Sequence, residues 1–138
     1  MLILIAGLVA WFGAVSSASA AETVDSYLVE ASVEADGALH VKATISLGEP
    51  PAALTQVMST ATRTPNSQEY RFTISDVTAT AGGAPLDVTV TPGERSTTVS
   101  IPTAGVTEPI VLEYTVLGAS MAAADGTTLV QWPLVQGL

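Results

Sequence analysis

Few side chains in this sequence are suited to chemistry, and their spacing is as informative as their types. His40 is the single histidine, and cysteine is absent. A hydrolase built on serine or cysteine needs a base that a third group orients. No acid stands near His40 at a helpful spacing, and no G-x-S-x-G elbow occurs. One histidine without cysteine also excludes the usual zinc sets. Copper would have to gather Met58, Met121 and His40 from distant positions, and methionine fills cores by default.

The carboxylates offer little more. Glu34 and Asp36 flank one turn, while Glu94 and Asp125-Gly126 lie in others. Calcium is the metal such groups would suit, but its D-x-D-x-D-G loop spacing is missing. A carboxylate pair for glycoside cleavage is compatible with the composition, yet no aromatic platform accompanies one. Trp11 lies in an apolar amino-terminal run, which leaves Trp132 as the one candidate for stacking on a sugar. Core burial is the ordinary fate of such a tryptophan. Arg63, Arg71 and Arg95 are spread along the chain and read as solvated charges. No residue is therefore assigned a catalytic, cofactor-binding or metal role, and the expectation is a non-enzymatic chain.

The elements that would position any site come next. The chain has 138 residues, enough for one domain with a core of its own. Thirteen acids against four bases give a net charge of −9. That balance argues against a nucleic-acid partner, whose phosphates need a basic footprint, and against adsorption to anionic lipid. An acidic surface serves solubility. Export without disulfides fits a bacterial surface better than a small eukaryotic secreted module.

Residues 1–20 read as a signal peptide or membrane anchor. Leu2–Val15 is a continuous apolar run, and Ala18-Ser19-Ala20 fits an A-x-A cleavage site that would open the mature chain at Ala21-Glu22. The run is short for a spanning helix, which needs about 20 apolar residues, so cleavage is preferred to retention. No Lys or Arg precedes the run. A true start upstream of Met1 is the simplest hypothesis for that departure.

Residues 21–138 read as one all-β unit, an antiparallel β-sandwich of immunoglobulin-like type with seven to eight strands. The best-patterned stretch is Tyr27–Leu47, a hairpin bent at Asp36-Gly37. Alternation on both arms marks strands with one buried face. A three-residue loop, Ala35-Asp36-Gly37, sets Val33 opposite Leu39, Ala31 opposite Val41, Val29 opposite Ala43 and Tyr27 opposite Ile45. All the apolar side chains then share one face. Gly37 would take positive φ to close a type I turn with a bulge, and Glu30 would face Lys42 outside.

Beyond Pro50-Pro51, the spacing of Leu54, Val57, Met58 and Ala61 predicts a short helix, with an irregular edge segment as the alternative. Thr62–Glu69 reads as a polar loop. Alternation returns at Tyr70, Phe72 and Ile74 and changes phase at Ser75-Asp76, as a bulge would make it do. Turns at Ala81–Pro85 and Thr91–Glu94 separate the strands around Leu86–Val90 and Thr97–Ile101. After a connection at Pro102–Pro109, Ile110–Leu117 is apolar enough on both faces to be a central strand. Gly118–Gly126 reads as a loop, and Leu129–Leu134 as a last strand. Short strands at this spacing, with Gly or Pro turns between them, are the sandwich signature.

Several of these stretches resemble the family called domain of unknown function 2207, a group of predicted bacterial membrane proteins. Tyr27-Leu28-Val29 followed by Val33–Val41 is similar to its strand, aspartate-glycine turn and strand just after a signal peptide. Ile110–Gly118 is similar to its tyrosine-containing strand ending in glycine, and Leu129-Val130-Gln131-Trp132 to its late strand with tryptophan. Arg63-Thr64-Pro65 answers weakly to an arginine and proline after the second strand. Ala43 stands where the family usually has a glutamate. The resemblance implies an extracytoplasmic domain tied to a membrane, through the amino-terminal segment or through carboxy-terminal helices, with no known activity. The expected location is the outer face of the cell membrane, or secretion. The alternative function is a cell-surface module binding glycan or protein.

Overall fold

The computed structural model describes residues 24–133. The segment read as signal or anchor, including Trp11, lies outside them. The described chain is all-β and antiparallel, with no helix. Its strands are β1 (Val24–Val33), β2 (Leu39–Leu47), β3 (Ala53–Ser59), β4 (Ala61–Arg63), β5 (Glu69–Arg71) and β6 (Thr73–Ala81). They continue with β7 (Ala84–Leu86), β8 (Thr89–Pro92), β9 (Ser96–Pro102), β10 (Ile110–Leu117), β11 (Ser120–Ala122) and β12 (Thr128–Val130). The described residues hold twelve strands against the seven or eight expected, because the expected helix is a strand, two expected strands are each split in two, and β11 falls in a stretch read as a loop.

A five-stranded sheet runs β1-β2-β10-β6-β7, and a three-stranded sheet runs β3-β9-β8. One core draws on both. Leu39, Val41, Ala43 and Ile45 of β2 and Ile110, Leu112, Tyr114 and Val116 of β10 meet Leu54 and Met58 of β3 and Val99 and Ile101 of β9. Gln56 on β3 also points inward and donates from Nε2 to Tyr27 Oη on β1 at 3.0 Å, a polar link from one sheet to the other. Burial pushes the Tyr27 phenol up, against a smaller opposing effect of that hydrogen bond.

The first hairpin has the register its pattern requires. Val33 pairs with Leu39, Ala31 with Val41, Val29 with Ala43, Tyr27 with Ile45 and Glu30 with Lys42. The Glu30 and Lys42 charges stand 4.0 Å apart. Burial, however, does not run the length of β1: Ala31 is exposed and Val33 is 42% exposed. β1 is the edge strand of the five, paired on one side only.

The expected helix at Leu54–Ala61 is strand β3. Leu54, Gln56 and Met58 alternate inward there, and the glutamine among them breaks the apolar pattern that would have disclosed a period of two. In β6 the phase change is a bulge: the register against β10 shifts between Glu113 and Thr115, and Asp76 adopts φ 53°. The return strand expected around Leu86–Val90 is split. β7 pairs with β6 in the larger sheet, and β8 pairs with β9 in the smaller one, so the chain changes sheets at Asp87-Val88. On the long connection after β9, Thr103 is pinned by its hydroxyl to the Pro51 carbonyl at 2.7 Å and by its amide to Ala52.

Candidate functional site

The ends of the strands place the loops. The Val33–Leu39 end of the first hairpin lies beside Leu117 and Thr73, and in the smaller sheet Ser59 pairs with Ser96. Backbone hydrogen bonds from Phe72 to the Thr60 carbonyl and from Thr60 to the Arg95 carbonyl join these two ends. The turns of β1–β2, β4–β5, β8–β9 and β11–β12 therefore crowd one end of the molecule.

Three of the four turns are copies of one structure. In residues 34–38, 64–68 and 123–127 the first residue donates to the carbonyl of the fifth, at 2.7, 2.8 and 2.8 Å. The fourth donates back to the first, at 2.9, 2.9 and 3.0 Å. The fourth residue has positive φ in each: Gly37 at 89°, Ser67 at 62° and Gly126 at 88°. This is a type I turn closed by a bulge, as read for Gly37. Asp36 and Asp125 serve these turns, each accepting at 3.0 Å from the amide two residues on. Thr127 adds its hydroxyl to Asp125 at 2.6 Å, and these donors hold the Asp125 carboxyl below its usual range. Two of the carboxylates considered for calcium are thus occupied as turn caps. Among the described residues no three His, Asp or Glu side chains gather closely enough to hold a metal ion.

His40 lies on the outer face of the large sheet, as its alternation requires. An acid does reach it: Glu113 of β10 stands 3.9 Å from its Nε2, diagonal to the strand pairing. Ser32 and Thr115 pair with His40 from the two sides. This group of hydroxyl, imidazole and carboxylate occupies an open sheet surface, and none of it lines the clefts described below. Cross-strand pairing of polar side chains on the wet face accounts for it.

Trp132 turns back from β12 into the core. It meets Phe72 edge-on at 5.3 Å between ring centroids and Tyr114 at 6.5 Å. Core burial, not sugar stacking, is its place. Burial pushes the Tyr114 phenol up, partly offset by the nearby Trp132 indole N–H, yet neither Tyr114 Oη nor Trp132 Nε1 completes a hydrogen bond. Met58 is buried and Met121 lies on β11, apart from His40.

The arginines are exposed, as read, but they are not scattered. Arg63, Arg71 and Arg95, distant in sequence, gather around Glu69. Arg63 is its partner across β4–β5, Arg71 Nη2 stands 2.5 Å from Oε1, and Arg95 Nη1 bonds Oε2. The Arg95 hydrogen bond is the main reason the Glu69 carboxyl titrates below its usual range, with both arginine charges adding to it. Arg71 Nη1 also donates to the Glu94 carbonyl at 2.9 Å. Beside them opens a cleft of about 300 Å³ lined by Arg71, Phe72, Gly93, Glu94 and the hydroxyl side chains of Thr60, Thr73 and Thr97. A smaller one, about 110 Å³, lies between Ser59, Thr62, Phe72, Gln131 and Pro133. A third, about 500 Å³, opens along β6 and β7. No protein-family profile, characterised protein or solved structure matches the chain.

Proposed function

We propose that the chain is a non-catalytic extracytoplasmic domain of a bacterial membrane protein, folded as an immunoglobulin-like β-sandwich and related to domain of unknown function 2207. The sandwich reading is supported by the core that the five-stranded and three-stranded sheets share and by the Gln56–Tyr27 hydrogen bond between them. The family reading rests on the three sequence stretches alone: the Asp36-Gly37 hairpin, the tyrosine strand Ile110–Gly118 and the late strand with Trp132. The side chains that looked most capable of chemistry have structural work: Asp36 and Asp125 cap turns, and His40 faces Glu113 on an open sheet.

Export is the testable half of the proposal. Expressed from Met1 in a bacterial host, the protein should be recovered outside the cytoplasm with Ala21 as its first residue. Amino-terminal sequencing of the recovered protein reads this directly. A cytoplasmic protein with Met1 intact would overturn it.

The alternative, a cell-surface binding module, is supported by the loop end, where three turns share one hydrogen-bonded form and two clefts open among the neighbouring strands. Loops on a rigid scaffold are where binding residues are usually carried.

A further inference from the structure

The arginine cluster runs against the charge of the whole chain. Thirteen carboxylates and four basic side chains leave a net charge of −9, yet all three arginines sit together. Locally, Arg71 and Arg95 both pair with Glu69, and Arg63 stands opposite Glu69 across β4–β5, so three basic residues neighbour one paired carboxylate. The fold builds this from β4, β5 and the β8–β9 turn. Solubility does not call for it, since charge of either sign anywhere on the surface would serve.

The guanidiniums are also incompletely used. Each has five N–H donors. Arg71 commits Nη2 to Glu69 and Nη1 to the Glu94 carbonyl, and Arg95 commits Nη1 to Glu69. Their side chains are 59% and 47% exposed, so the remaining donors face solvent. Arginine forks match the planar or tetrahedral oxygens of carboxylate and phosphate. The adjoining cleft is lined by Arg71 itself, together with Thr60, Thr73, Thr97 and Glu94.

We propose that this cluster is a binding site for an oxyanion, a phosphate or carboxylate group carried on a larger molecule, and that Glu69 is the resident anion which holds the guanidiniums in position until displaced. A purely structural ion pair and a resident anion differ in one consequence. A structural carboxylate is indispensable where it stands, whereas a resident anion can be replaced from solution. The proposal stands independently of where the chain acts.

Glu69→Gln separates the two. The amide keeps the size and removes the charge, leaving three arginines with no paired carboxylate. Melting temperatures are measured for the full chain and the variant with inorganic phosphate and with citrate, against chloride at matched ionic strength. The variant should bind phosphate or citrate about tenfold more tightly than the parent, the worth of one charge-assisted hydrogen bond. Its melting temperature should climb back toward the parent value as the anion is added. Phosphate alone acting would name a phosphate carrier, and citrate alone a carboxylate carrier. Neither acting overturns the site. In the parent chain, phosphate should shift the amide resonances of residues 93–97, and Arg95→Gln should abolish the shift while Lys42→Gln leaves it. Equal shifts in both variants would reduce the effect to general screening and refute the proposal, even if Glu69→Gln fails to fold.

Discussion

Gln56 gives the sharpest test of how the two sheets are held. It is 1% exposed, its Nε2 donates to Tyr27 Oη at 3.0 Å, and its Oε1 has no partner. Tyr27→Phe removes the only acceptor shown for that buried amide. A lost hydrogen bond costs about 0.5–1.5 kcal/mol, and stranding a buried donor raises the loss toward about 1–3 kcal/mol. The expected loss is therefore about 2 kcal/mol. Gln56→Met keeps the volume, removes the unpaired Oε1 and strands only the Tyr27 hydroxyl, which is half-buried and can find water. Its cost should be below about 1 kcal/mol. The double variant removes both partners and should lie within about 0.5 kcal/mol of the parent or above it, because replacing both members of a buried polar pair by apolar groups can be neutral. Urea unfolding of all four proteins closes the cycle, with a coupling energy of about 1.5–3 kcal/mol expected. Equal and additive losses from the two single substitutions would refute the reasoning, since the hydrogen bond would then contribute nothing of its own.

The remaining predictions concern backbone, core and charge. Ser67 holds φ 62° where its two counterpart turns have glycine, so Ser67→Gly should stabilise by up to about 1 kcal/mol, read as a raised urea midpoint. Gly118 has φ 93°, and a Cβ there would lie 2.9 Å from the Arg71 carbonyl oxygen. Gly118→Ala should therefore cost at least about 2 kcal/mol in the same assay, whereas Gly126→Ala, with open space around it, should cost about half that. Trp132→Ala should lose about 3–5 kcal/mol and with it the near-ultraviolet signal of the cluster with Phe72 and Tyr114. Glu69 has its folded pKa depressed by Arg95, so its contribution is present above the ordinary glutamate range and is lost as pH falls through the folded value. Melting curves of the parent and Glu69→Gln should accordingly differ at neutral pH and converge in acid.

What could be read in the sequence was local and repetitive. Alternation from Tyr27 to Leu47 fixes the β1–β2 register because a one-residue slip would turn every side chain to the wrong face. The bulge in β6 announced itself the same way, as a phase change at Asp76. Where a polar residue took a core position the signal failed: Gln56 made β3 look helical. Where strands shrank to three residues there was little period to read, so β11 passed as a loop, and the last strand, expected at Leu129–Leu134, is the shorter β12. A signal did exist for the turn between them. Ala124-Asp125-Gly126 repeats the Ala35-Asp36-Gly37 of the first hairpin, and both make the same turn.

The candidate site was illegible for a different reason. Its members come from β4, β5 and the β8–β9 turn, and no spacing relates Arg63, Arg71 and Arg95 until the chain is folded. The same holds for Glu113 beside His40, which the β2–β10 pairing delivers from far along the chain. Yet the two juxtapositions are not equivalent. Around His40, Lys42 stands between Glu30 and Glu113 on an open sheet face that lines none of the clefts described. Around Glu69 the charges do not balance. One carboxylate between three arginines, next to a cleft, leaves donors that water alone must satisfy. Of the two clusters that folding assembles, it is the one beside a cleft that has binding capacity to spare.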